Sequence, residues 1–393
     1  MEHVNELQVN TDFNHIPQIQ YTLHQSDGKL MRDNTISRVQ ALQMSEKKNG
    51  QKIRFRIPKQ DRYLDLQSVF FSFVMKTTNN NAVPEVVSQY FSEVVIKDSN
   101  GTIIERIESY RLLNKLIRNA SMTYEFINAN YPAEGENLNA VNQADYRGAG
   151  LSVVHKPIAI GIFTNCTQYW PLNIVGLDIE FTINNSLVDP ASSFIDAHVI
   201  YKSYEIDPDI DVQIQQKYLS EGLHLTFNSF DVDQRSLLQS TQIQQIYTKN
   251  LVSVDRAYVV ATGNNDLKID TGKIANNDSF LLRIGKKDYP EFGREITSPA
   301  EQFYLNKLQN GTLNQHYIYD AKFSDFKVSG YNSIITVNLM SFEQGHLTGT
   351  DLNDKQIELR VDGLPNVARD VYLILHHSTI VVLKSGTNTE ILH

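Results

Sequence analysis

The 393-residue chain carries 36 Lys and Arg against 45 Asp and Glu, a net charge of -9 at neutral pH. That balance argues against a nucleic-acid groove or an anionic bilayer as its main partner, since both need clustered cations. It is 41% hydrophobic with 19 Tyr and 18 Phe, enough to bury sizeable cores in two or three units, and its single cysteine, Cys166, leaves no intrachain disulfide and no CxxC metal knuckle, which fits synthesis in a reducing place inside the cell.

The first fifty residues are rich in Asn, Gln, Asp and Ser and alternate weakly only around IPQIQYTL (16–23). They predict a polar arm over residues 1–50 that orders on assembly, with an edge strand at IPQIQYTL as the competing reading. The beginning of the chain lacks the apolar core of a signal peptide, and no run reaches the length of a membrane span, so a soluble protein outside the standard secretory route is expected.

Firm strand signals start at IRFRI (53–57), where alternation turns Ile53, Phe55 and Ile57 inward and leaves Arg54 and Arg56 for solvent or a subunit boundary. β-Branched and aromatic runs then recur between Asn, Asp, Gly and Pro clusters: SVFFSFVMK, SEVVIKD, GLDIEFTI, AHVIYKSYEI, AYVVAT, SIITVNLM, QIELRV and VYLILHHSTIVVL. The rhythm is all-β. Two segments carry helical spacing, ERIESYRLLNKLIRNA (105–120) and SPAEQFYLNKLQ (298–309); in the second, Ser298 is the N-cap, Pro299 lies in the first turn and Glu301 completes a capping box. The stretch 121–150, rich in Asn, Gly and Tyr, loses periodicity and is expected to project outward as a loop.

The two helical segments expose a repeat, because LLNKL (112–116) and YLNKL (304–308) are near copies separated by about half the chain. SEVVIKDSNGTIIERI precedes the first and SFLLRIGKKDYPEFGREI the second, each an apolar strand, a charged turn and a short return. Three further pairs keep the same order. YLDLQSVFFSFV matches NLVSVDRAYVVA with Leu66 over Val254 and Phe70 over Tyr258, LDIEFTI matches KQIELRV with Ile179 over Ile357, and DAHVIY matches DVYLIL with Asp196 over Asp370. These pairs indicate a tandem duplication of one β domain, too large for an immunoglobulin sandwich and suited to a jelly roll with long loops. The expected architecture is all-β, two tandem jelly-roll β-sandwiches with a short helix in each: an arm at 1–50, a first roll at 51–206, a linker at 207–220 and a second roll at 221–393.

RIPKQDRYLDLQSVFFSFVMK, VVIKDSNGTIIERIESYRLLNKLI and HKPIAIGIFTNCTQYWPLNIVGLDIEFTI, with Phe163, Trp170, Pro171 and Leu172 before an amphipathic strand, resemble the double jelly-roll major capsid proteins of tailless icosahedral viruses, the lineage of adenovirus hexons, tectiviruses, virophages and polinton-like viruses. The resemblance is one of order and duplication across residues 51–393 and carries no residue over as a functional site. It implies a homotrimer that forms a pseudo-hexagonal tile of an icosahedral shell, located in the virion and synthesised inside a host cell. The implied partners are neighbouring capsomers, penton and minor capsid proteins and an internal membrane in some members, with no sequence-specific nucleic-acid binding.

A search for chemistry leaves no catalytic, cofactor or metal residue assigned. Cys166, beside Phe163, Tyr169 and Trp170, reads as a small core residue. His376 and His377 are consecutive on a strand and point to opposite faces, which disfavours chelation of one metal. Asp207, Asp209 and Asp211 in DPDIDV match the first, third and fifth positions of a calcium loop, yet Val212 and Tyr218 stand where Gly and Glu are required, so an acidic linker is the leading account and a loose calcium site the other. Glu105 and Glu108 read as solvated carboxylates on the first helix. No P-loop, GxSxG, HExxH or dinucleotide-binding glycine pattern occurs. The chain is expected to be structural and not an enzyme. The alternatives are a two-domain β-sandwich that binds glycans or a receptor, and a glycoside-processing β enzyme, which would need carboxylates converging in a cleft.

Overall fold

The computed structural model describes residues 31–78, 86–121, 133–135, 150–263, 278–296, 335–340, 349–385 and 389–393. The first half comprises β1 (Met31–Gln40), β2 (Lys52–Ile57), β3 (Tyr63–Lys76), β4 (Phe91–Asp98), β5 (Ile103–Glu108), β6 (Leu151–His155), the two-residue β7 (Trp170–Pro171), β8 (Leu177–Ile183) and β9 (Ser193–Ile206). One sheet has the order β1-β9-β3-β6, with β7 added to β3, and the other β2-β8-β4-β5, every pairing antiparallel. With the two-residue β7 set aside, two sheets of four strands in these interleaved orders make a jelly roll.

Its core follows from the alternation. Ile53, Phe55 and Ile57 are fully buried. Phe181 of β8 sits 4.8 Å from Phe71 and 4.9 Å from Phe91 between ring centroids, and Phe55 lies 5.0 Å from Phe71. Outside, Arg56 grips Asp178 through two bonds of 2.8 Å, while Arg54, Lys52 and Lys97 converge on Glu180 at 3.1, 3.3 and 3.5 Å. The arginines of IRFRI thus pair across strands on an exposed face.

Among the described residues the second half repeats the plan with β10 (Leu223–Thr248), β11 (Val254–Gly263), β12 (Asp278–Ile284), β13 (Lys287–Ile296), β14 (Ile335–Asn338), β15 (Gln356–Leu383) and the short β16 (Glu390–Leu392). β10 and β15 each serve both layers. Residues 223–237 pair with 369–383, beside β11 and β14, and residues 242–248 pair with 356–362, beside β12 and β13. The change of layer falls at the register shifts between Leu237, Ser240 and Gln242, as bulged corners allow. Ile243, Phe280, Leu282 and Ile357 from one layer share a core with Val259, Ala261, Leu373 and Leu375 from the other.

The rolls are joined through one sheet. On β11 and β15, Ala257, Val259, Val371 and Leu373 belong to the second core, whereas Tyr258, Val260, Tyr372 and Ile374 belong to the cluster that fills the first roll, as do Leu225 and Phe227 of β10. Burial on both faces is why VYLILHHSTIVVL reads as an apolar run in place of an alternating strand.

Three expectations need correction. Residues 31–40 are not part of an arm: they form β1, the outer strand of the first roll, in register with β9 from Met31↔Ile206 to Gln40↔His198. The strand escapes periodicity because it is an edge whose side chains are mostly exposed, such as Ile36, and its backbone ladder holds it in place. The turn that follows is tied down by Leu42 N–H to the Arg54 carbonyl and Lys47 N–H to the Phe194 carbonyl. The segment 16–23 lies outside the described residues.

Residues 208–220, expected as an acidic linker and not among the two segments read as helices, form a helix. With α1 (Tyr110–Ser121) and the single turn α2 (Gly161–Thr164) before it, this is α3 (Pro208–Ser220). Asp207 caps it by accepting from Asp209 N–H at 3.0 Å, Pro208 occupies the first turn, and Ile210 and Ile214, one helical turn apart, are buried. Finally, α1 begins at Tyr110 and not at Glu105. Residues 103–108 are the return strand of a hairpin whose turn is set by Gly101 at φ 95° and by Asp98 Oδ1 accepting from Asn100 and Thr102 N–H. LLNKL lies in α1; YLNKL and its capping box lie outside the described residues. So does most of the 121–150 loop, in which Glu134 is buried and accepts from Lys156 N–H at 3.2 Å.

Candidate functional site at the junction of the two rolls

The residues singled out from sequence are scattered. Cys166 is buried, and burial pushes its thiol up to about 12, so it stays protonated and unreactive. His376 Nδ1 lies 2.7 Å from Asp255 Oδ1 with its ring against Phe230, whereas His377 contacts the Ser378 carbonyl and the ring of His393. Burial drives His377 down to about 4 and keeps it neutral. Of the three aspartates, Asp207 caps α3 and Asp211 accepts from Tyr63 Oη and Asn173 Nδ2, both at 2.6 Å. Among the described residues no three His, Cys, Asp or Glu side chains are placed to hold a metal ion.

Glu105 departs from the solvated helical carboxylate expected of it. It is not on a helix and not solvated: it lies on β5 opposite Ile96 of β4, next to the inward pair Ile107 and Val94, and is 4% exposed. Oε1 accepts from Gly161 N–H at 2.9 Å and from Ser229 Oγ–H at 2.6 Å, and Oε2 accepts from Ile162 N–H at 3.1 Å. Desolvation outweighs these three donors and holds the carboxyl up at about 7. The signal was present in the hairpin: once DSNG is read as the turn, Glu105 takes a position where Val94, Ile96 and Ile107 require an apolar residue. Glu108, by contrast, is exposed and pairs with Arg106 at 3.1 Å.

Glu105 marks the seam between the rolls. α2 of the first roll presses on β10 of the second, where Asn165 Nδ2 donates to the Asn228 carbonyl at 3.4 Å. Nearby, Thr389 Oγ–H donates to the buried Asp98, and Tyr218 Oη donates to the Lys384 carbonyl. A cavity of about 380 Å³ opens beside Glu105 and is bordered by Glu108, Asp231, Lys249, His377 and His393. Its carboxylates do not form a free acid–base pair, since Asp231 is neutralised by Lys249 at 2.6 Å and Glu108 by Arg106. The arrangement clasps the two rolls.

No known family model matches the sequence, and no curated protein is similar to it. Solved structures are similar in fold. The capsid protein of the virus PBCV-1 superposes with a TM-score of 0.62 at 10% identity, covering 95% of this chain and 100% of that one. The fold is the double jelly roll. The Faustovirus major capsid protein shares this double jelly roll with a TM-score of 0.55 at 7% identity over 92% of both chains. The mavirus major capsid protein does so with a TM-score of 0.50 at 9% identity, over 95% of this chain and 93% of that one. The likeness runs through both halves of this chain.

Proposed function

We propose that the chain is a viral major capsid protein, a structural component of the virion that works by assembly. The observation that carries the reading is the duplication: two rolls of the same strand order, fused through a sheet buried on both faces, in a chain that spans nearly the whole length of capsid proteins of that fold. In this reading three copies close into a ring of six rolls, a pseudo-hexagonal tile, and the tiles form an icosahedral shell with neighbouring capsomers, penton and minor capsid proteins as partners. Catalysis has no part in it.

Sedimentation of the purified chain tests the trimer, expected near three times 44.8 kDa, and electron microscopy of particles formed from it tests the shell. A monomer at every concentration, together with specific retention on a glycan or receptor array, would replace this reading with the β-sandwich binding protein.

A further inference from the structure

Glu105 joins three elements that are remote in sequence: β5, which carries it, α2, which gives it two backbone N–H groups, and β10 of the other roll, which gives it the Ser229 hydroxyl. The contact is tight, because Gly161 approaches the Asn228 carbonyl so closely that a Cβ would lie 1.9 Å from it. Among the described residues no cation bonds to the carboxylate, and the adjoining cavity is large enough to admit water. An uncompensated charge in such a place is unfavourable unless it is hydrated or neutralised.

We propose that Glu105 is a protonation-controlled clasp between the two rolls, closed when the carboxyl is neutral and loosened when it ionises. In the neutral state Oε1–H donates to Ser229 Oγ while Oε1 still accepts from Gly161 N–H, and Oε2 accepts from Ile162 N–H. On ionisation the Ser229 hydroxyl turns to donate instead, and water enters from the cavity to hydrate the charge. Ser229 is suited to the exchange because a hydroxyl both donates and accepts, whereas the Gly161 and Ile162 amides only donate.

The groups facing the site leave the neutral range to Glu105. On its own strand, Arg106 and Glu108 pair with each other. From β10 and the segment after it, Asp231 is held by Lys249, whose ammonium is raised by its bonds to Asp231 against the cost of burial. His377 of β15, lowered to about 4, and His393, also lowered by burial, are neutral there, and the Cys166 thiol, held near 12, stays protonated. The carboxyl of Glu105, held near 7, is the group that changes. The clasp is a property of the single chain and stands apart from shell assembly.

The test uses the full chain, Glu105→Gln as a mimic of the neutral acid, and Ser229→Ala. Infrared spectroscopy of the wild type should show a protonated carboxyl band that titrates with a midpoint near pH 7 and is missing in Glu105→Gln. Hydrogen exchange at the Gly161 and Ile162 amides, corrected for intrinsic rates, should accelerate above that midpoint in the wild type and stay flat with pH in Glu105→Gln. Ser229→Ala, which removes a donor to the ionised form, should move the midpoint upward. A Glu105→Gln variant that is less stable yet keeps the wild-type pH response would make Glu105 a structural filler and overturn the proposal. Should that variant fail to fold, wild-type infrared spectra without a protonated carboxyl above pH 5 overturn it equally.

Discussion

The α-carbon of Gly161 rests against the backbone of Asn228, where a side-chain methyl would stand 1.9 Å from the carbonyl oxygen. The nearest atoms are the backbone of Asn228, with Glu105 Oε1 next at 2.9 Å, so Gly161→Ala should push α2 off β10. The expected cost is about 1–3 kcal/mol, as for overpacking elsewhere, read as a lower denaturant midpoint. Exchange at the Ile162 amide should rise in parallel, and an unchanged midpoint would mean that the rolls are not seated as described.

Two substitutions on the paired strands β8 and β2 of the first roll separate its core from its surface. Phe181→Ala removes a ring that meets Phe71, Phe91 and Phe55 and should cost about 3–5 kcal/mol. Arg56→Ala removes an exposed pair with Asp178, despite its two short bonds, and should cost about 0–1 kcal/mol. Chemical denaturation of both variants checks the order.

Stability should pass through a maximum on the acid side of neutrality. His155 is fully buried on β6, its Nε2 held 2.6 Å from Tyr110 Oη, and burial lowers it from 6.5 to about 3. The unfolded imidazole takes up a proton near 6.5 and the folded one does not, so this contribution is complete above pH 6.5 and is lost as the pH falls toward 3. Glu105 acts in the opposite sense: its folded value near 7 exceeds 4.5, so stability is lost as the pH rises from 4.5 to 7. In the limb below pH 6.5, His155→Gln should flatten the slope by up to about 1.4 kcal/mol per pH unit, one proton's worth. Thermal midpoints across pH 4–9 measure both limbs, and an unaltered acid limb would rule out His155 as its source.

Truncation distinguishes β1 from the sequence before it. Removing residues 1–30 leaves the ladder to β9 whole, whereas removing residues 1–40 strips it and bares β9 as a new edge. The longer deletion should lower the thermal midpoint by far more, with roughly 1 kcal/mol lost for each ladder bond left unreplaced, and should aggregate through the exposed edge. Equal midpoints for the two truncations would return residues 31–40 to an arm.

The sequence by itself determined the strands that bury one face and the order in which they recur. The strand pairs matched across the halves fall on equivalent strands: Phe70 on β3 with Tyr258 on β11, the β4–β5 hairpin with β12–β13, Ile179 on β8 with Ile357 at the start of β15, and Asp196 on β9 with Asp370 midway along β15. Alternation records such burial locally, and Ile53, Phe55 and Ile57 are where it puts them. Tertiary structure alone decided the rest. β1 is held by backbone bonds that leave no side-chain pattern, and α3 is set by one cap and two isoleucines in a polar stretch. Glu105 reads as a surface carboxylate until the hairpin register turns it inward and Gly161 and Ser229, 56 and 124 residues further along the chain, close over it. Periodicity reports how a segment divides between inside and outside; which partner covers a buried polar atom depends on contacts between distant segments, and those exist only in the folded chain.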